Sequence, residues 1–140
     1  MTTPEENKAI VRRYQAAYNT NNLDDLDELI AADIKTPAML PGFPPGLEGI
    51  KRLHRMTVDA WPDFHTEIED LIAEGDWVTA RITLSATPQK EAFGVPPTGM
   101  SFKVDGMYIV RMANGKIVEH TGIEDAVGIM QQLGLMPSPG

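Results

Sequence analysis

Few side chains in this sequence could run acid–base or covalent chemistry, and their types narrow what that chemistry can be. There is no cysteine, which excludes thiolate nucleophiles, disulfides and thiolate metal sites. His54 and His65 have no second ligand-type residue at a metal-binding spacing, so no metal site is expected. Lys90 and Lys103 raise Schiff-base chemistry, which needs a buried lysine, and Lys90 falls in a polar loop where exposure is expected. Carboxylates and phenols remain. Asp125 stands where an alternating strand gives way to a short helix. Period-two alternation groups Ile117, Glu119, Thr121, Ile123 and Asp125 on one face, with His120 on the opposite, outer or dimer-forming face. A carboxylate at an apolar mouth loses hydration, its pKa rises, and it becomes a base usable near neutral pH. Asp125 is equally suited to capping the helix that follows. Tyr14 and Tyr18 lie one helical turn apart on an inward stripe, where a hydroxyl reaching a cavity would hold a carbonyl. Trp61 and Phe64 flank a helix stop and are expected to line the pocket or its rim, with Met107, Thr121 and Ile123 as further lining.

The elements that must position these residues follow from periodicity and punctuation. Thr3, Pro4, Glu5 and Glu6 form a helix start, and Ile10, Val11, Tyr14, Ala17 and Tyr18 continue the helical period to about Asn19. A second helix is expected from Leu23 to Ala32 and a third from Leu47 to Ala60, stopped by Trp61-Pro62. Beyond Asp63 the period becomes alternating. Strands are expected over 65–73, 77–87, 101–112 and 116–123, with a tight turn at Glu74–Asp76 and an Asn114-Gly115 hairpin. A closing helix spans Asp125 to Leu133, before Gly134 and a loose tail from Pro137. Three helices followed by an antiparallel meander indicate an α+β fold, a twisted sheet wrapped around helices with an open apolar mouth. Both faces of the third strand carry apolar residues, which suits a sheet covered by helices on one side and a partner subunit on the other. Arg81 and Arg111 are expected to pair with Asp105 or Glu119, and Met39, Met56, Met107, Met112 and Met130 offer an adaptable lining or ordinary core.

The 140 residues suffice for one domain, 1–140, with one hydrophobic core. Their net charge of −8 opposes binding to nucleic acid or anionic lipid. No apolar run has the length of a membrane span and the start lacks a signal-peptide pattern, so a cytoplasmic location is expected.

Trp61-Pro-Asp-Phe64, Asp70-Leu-Ile-Ala-Glu-Gly-Asp76, Gly94-Val-Pro-Pro-Thr-Gly99, Gly115-Lys-Ile-Val-Glu-His120 and Gln132-Leu-Gly134 occur in order along nearly the whole chain. In this the sequence resembles the SnoaL-like polyketide cyclases, or ester cyclases, of the NTF2-like superfamily. The resemblance implies a cone-shaped α+β barrel, N-terminal helices packed in a curved antiparallel sheet, homodimers formed through the outer face, and no cofactor. It also implies that the aspartate at the end of the last strand, Asp125 here, is general acid/base in an intramolecular aldol closure. The chain departs from the family pattern at Thr87-Pro88-Gln89-Lys90, at Thr121, and near Ile34–Pro37. Each departure removes an aromatic group that relatives carry, widening the expected cavity and leaving it fewer donors for an oxyanion.

Two functions from different classes fit. One is a proton-transfer enzyme acting on a hydrophobic carbon acid by cyclisation, isomerisation or elimination. The other is a non-catalytic module holding an apolar small molecule. Epoxide hydrolysis ranks last, since no Asp-Arg-Asp arrangement is evident.

Overall fold

The computed structural model describes residues 2–36 and 42–137. Met39, the first half of the proline-rich stretch 37–46 and the end of the tail lie outside the described residues. The chain runs α1 (Pro4–Asn19), α2 (Leu23–Leu29), β1 (Ile30–Lys35), α3 (Gly46–Ala60), β2 (His65–Glu74), β3 (Trp77–Ala86), β4 (Phe102–Ala113), β5 (Lys116–Glu124) and α4 (Ala126–Gln132).

Local chemistry sets the ends of these elements. Thr3 and Glu6 form a reciprocal capping box on α1, each side chain accepting from the other's backbone N–H. The Asn22 carbonyl caps α2. Gly46, at φ 74, opens α3 where an added Cβ would lie 2.4 Å from the Ala32 carbonyl oxygen, so only glycine lets α3 close onto β1. Asn114 and Gly115, at φ 53 and 76, make the left-handed turn between β4 and β5 that their types predicted.

Two expectations need correction. The second helix stops at Leu29 rather than Ala32: Ile30 turns extended at φ −122, ψ 134, and Ile30–Lys35 is a strand. Ile30 and Ile34 are its buried pair, and a four-residue apolar spacing fits one face of a helix and one face of a strand equally well. The sheet is also mixed and open. Its order is β1-β5-β4-β3-β2, with β1 parallel to β5 and the other neighbours antiparallel, so β1 and β2 are edges of a five-stranded sheet and not a closed barrel.

One irregularity controls the faces of β5. Arg111 pairs with Glu119 and Met112 with Ile117, leaving Val118 as an extra residue. Such a bulge reverses the alternation beyond it. Ile117 is buried, yet Thr121 and Ile123 are exposed, whereas His120 and Gly122 lie on the inner face opposite Val110 and Tyr108.

The larger buried cluster joins α1, α2 and α3 to the concave face through Val11, Tyr14, Leu26, Ile50, Tyr108 and Val110. A second cluster, around Trp61, Ala86, Phe102, Val104, Ile129 and Leu133, lies where β4 begins and α4 packs. No helix among the described residues is long and apolar enough to cross a membrane.

Candidate active site

The concave face, α1 and α3 bring together a set of aromatic and titratable side chains. Tyr14 and Tyr18 project from α1, one turn apart, with ring centroids at 5.3 Å. Tyr14 meets Tyr108 of β4 at 6.0 Å and His120 of β5 at 6.1 Å. His120 stacks on Tyr108 at 5.1 Å and 28°. Tyr18 meets His54 of α3 edge-on at 4.4 Å. The result is a continuous wall with a histidine at each end and three phenols between.

Burial tunes every member. Desolvation pushes the phenols of Tyr14, Tyr18 and Tyr108 upward, so they stay protonated donors at neutral pH. Desolvation lowers His120 to about 4, against a weaker opposing interaction with its own backbone, so its imidazole is neutral at pH 7. His54 is lowered as well, first by burial and then by the nearby Arg55 charge. The Tyr108 hydroxyl donates to Gln15 Oε1 at 3.2 Å, Gln15 reaches Asn19 Oδ1 at 3.5 Å, and Asn19 donates to the Thr66 carbonyl at 2.8 Å. That chain of contacts fixes Tyr108 against α1 and β2.

The residues expected to form the site divide between two faces. Tyr14 and Tyr18 lie on the inner wall. Trp61 is buried beside Phe64, at 6.1 Å, and Phe102, at 5.5 Å, in the second cluster. Met107, Thr121 and Ile123 do not line the interior: Met107 pairs with Ile123 on the outer face, where they are 45% and 71% exposed. Asp125 follows them outward. It is exposed, and its Oδ1 accepts from the Gly128 N–H at 2.8 Å as the cap of α4. The desolvation expected of it is therefore not met. The physical reason is the bulge at Val118, which also carries His120 inward from its expected outer position.

Sequence reasoning also passed over His54 as a site residue. Its signal was a histidine within the apolar period of α3, which by itself says only core. Arg111 forms the expected pair with Glu119 at 2.9 Å, whereas Arg81 turns to Asp70 at 2.7 Å. Lys90 is exposed, as expected, and so is Lys103. No group of three or more potential metal ligands occurs among the described residues. A separate open groove of about 390 Å³, lined by Asp63, Ser85, Thr87, Ser101, Lys103 and Gln132, contains none of the aromatic wall.

An open sheet packed over α1, α2 and α3, with phenols and a neutral imidazole on its inner side, defines a class of small α+β proteins. The comparisons narrow that class. The family model of the SnoaL-like polyketide cyclases matches residues 8–133. An aklanonic acid methyl ester cyclase of Streptomyces peucetius is 30% identical over 128 residues, spanning 89% of this chain and 88% of the relative. A nogalonic acid methyl ester cyclase of Streptomyces nogalater is 30% identical over 122 residues, spanning 85% and 90%. Among solved structures, TsrD from Streptomyces laurentii superposes with a TM-score of 0.88 at 26% identity, covering 97% of this chain and all of that one. The chain belongs to the SnoaL-like polyketide cyclase family, and its curated relatives identify it as an enzyme of the cyclase type.

Proposed function

We propose that the chain closes a ring on a flat, hydrophobic polyketide ester by cofactor-independent proton transfer, with His120 as the base. The observation that carries this reading is the neutral His120 set among Tyr14 and Tyr108 on the concave wall. His120 takes a proton from the carbon beside a carbonyl. The resulting enolate forms the new carbon–carbon bond to a second carbonyl, whose π pair moves to oxygen, and that oxygen takes the proton back from the imidazolium. Tyr14 and Tyr18, held protonated by burial, supply donors toward the developing oxyanion. The relatives named as cyclases of aklanonic and nogalonic acid methyl esters support a methyl ester of this kind as substrate.

Asp125 is the second candidate for the base. It stands at the end of β5, and its Oδ2 accepts no hydrogen bond among the described residues. The outer face, with Trp77, Ile109 and Ile123 exposed, is assigned to pairing with a second copy of the chain.

Turnover of aklanonic acid methyl ester by His120→Gln and Asp125→Asn separates the two bases. His120→Gln is expected to lower kcat by roughly 10²–10⁴-fold. Asp125→Asn keeps the cap and is expected to leave kcat within about threefold, since asparagine caps as well as aspartate. The opposite result transfers the role to Asp125. Tight binding without turnover by the unaltered chain would support the non-catalytic module instead.

A further inference from the structure

The hydrogen bonds behind Tyr108 have a polarity that their covalent end dictates. β2 is an edge strand, and at Thr66 both the N–H and the C=O face α1. Asn19 meets them as a neighbouring strand would. Its Nδ2 donates to the Thr66 carbonyl at 2.8 Å, and its Oδ1 accepts from the Thr66 N–H at 3.1 Å. A reversed Asn19 amide would set donor against donor and acceptor against acceptor, so the backbone decides which end is which.

Gln15 lies one turn earlier on the same face of α1. Its Nε2 donates to Asn19 Oδ1 at 3.5 Å, which leaves its Oε1 for the Tyr108 hydroxyl at 3.2 Å. An amide oxygen only accepts, so the Tyr108 proton is committed to Gln15. Gln15, Thr66 and Tyr108 are all buried, where such bonds are not readily traded for water. This separates Tyr108 from Tyr14 and Tyr18, which the relay does not touch.

We propose that Gln15 is a positioning residue for His120: by holding the Tyr108 hydroxyl it keeps the Tyr108 ring stacked on the imidazole and withdraws that phenol from the donors available to substrate. This rests on the proposed function, in which His120 is the base. Tyr14 and Tyr18 then serve the developing oxyanion, and Tyr108 shields the base. The His120 ring meets Tyr14 of α1 at 6.1 Å and Tyr108 of β4 at 5.1 Å, while Gly122, two residues on, adds no side chain. Both phenols are uncharged at neutral pH, and burial, not the charge of another residue, lowers the His120 pKa. A Tyr108 ring released from Gln15 would admit water to the stacked face and make the imidazole easier to protonate.

With ¹³C-labelled imidazoles the three histidines give separate signals, and His120→Gln identifies the one of interest. The wild-type His120 signal is expected to remain mainly that of the neutral ring down to about pH 4.5. Gln15→Leu removes the acceptor and keeps the bulk; its His120 is expected to be half-protonated at about pH 5, roughly tenfold easier to protonate. Tyr108→Phe deletes the same bond from its other end with little change in volume. It is expected to shift the titration the same way, and it carries the test if Gln15→Leu does not fold. Because each change removes one shared bond, the double variant is expected to titrate where the single ones do. A loss of global stability alone would not move this midpoint, which is read in the folded protein. An unchanged His120 titration in the folded variants overturns the inference, as does a double variant whose shift is the sum of the two. A wild-type midpoint at the ordinary 6.5 overturns it as well. The cyclase reading fails on a different result, full turnover of the polyketide ester by His120→Gln, which leaves the titration to be read on its own.

Discussion

Tyr108 and Ile109 are neighbours on β4, yet they belong to opposite environments. Tyr108 is buried, its hydroxyl anchored on Gln15 and its ring stacked on His120. Ile109 is 37% exposed and opposite Thr121 on the outer face. The concave face combines apolar packing with phenols and imidazoles that burial holds uncharged. The outer face combines exposed apolar groups with ion pairs that water screens, Arg81–Asp70 and Arg111–Glu119. Burial, not residue type, makes one face chemically responsive: His65, exposed beside Glu67, is a histidine without that setting.

Substitutions on the two faces sharpen the contrast. Ile117, fully buried where β5 meets β1, is expected to cost about 2–5 kcal/mol on replacement by alanine, read as a lower urea midpoint at unchanged slope. Next in size is a pH effect confined to the concave face. The folded pKa of His120 is depressed to about 4 from an ordinary value of 6.5, so the unfolded chain binds this proton more readily. Its stabilising contribution is full above the unfolded pKa and is lost as pH falls toward the folded one. Between pH 7.5 and pH 5 this removes about 2 kcal/mol, and His120→Gln is expected to flatten that part of the stability curve. An unchanged slope would mean that His120 is hydrated in solution. The smallest effect belongs to the outer face. Ile123→Lys is expected to change the protomer's stability by less than about 0.5 kcal/mol. In sedimentation it is expected to convert a dimer to a monomer, and a wild-type chain that sediments as a monomer removes the proposed pairing.

The elements were legible wherever one period dominated. The capping box at Thr3 and Glu6, the Asn114-Gly115 turn and the strict alternation of β4 all carry their signal within a few adjacent residues. Ile30–Lys35 was not legible, because its two isoleucines satisfy a helix and a strand alike. The site was half legible. Tyr14 and Tyr18 follow from the α1 stripe, but the inward turn of His120 depends on Val118 being left unpaired. That depends on how β5 pairs with β4, which the periodicity of β5 alone does not specify. His54 acquires meaning only from Tyr18 and Asn21, more than thirty residues earlier in the chain and brought to it by folding.

The unpaired residue at 118 works as a frame shift written in space instead of in codons. Everything before it on β5 is read with one parity and everything after it with the other. A strand of this same sequence that paired without the bulge would present Thr121 and Ile123 to the interior and His120 to the outer face. The proposed base and the proposed pairing surface would then exchange addresses. Deleting Val118, by contrast, would straighten the ladder and leave both faces as they are.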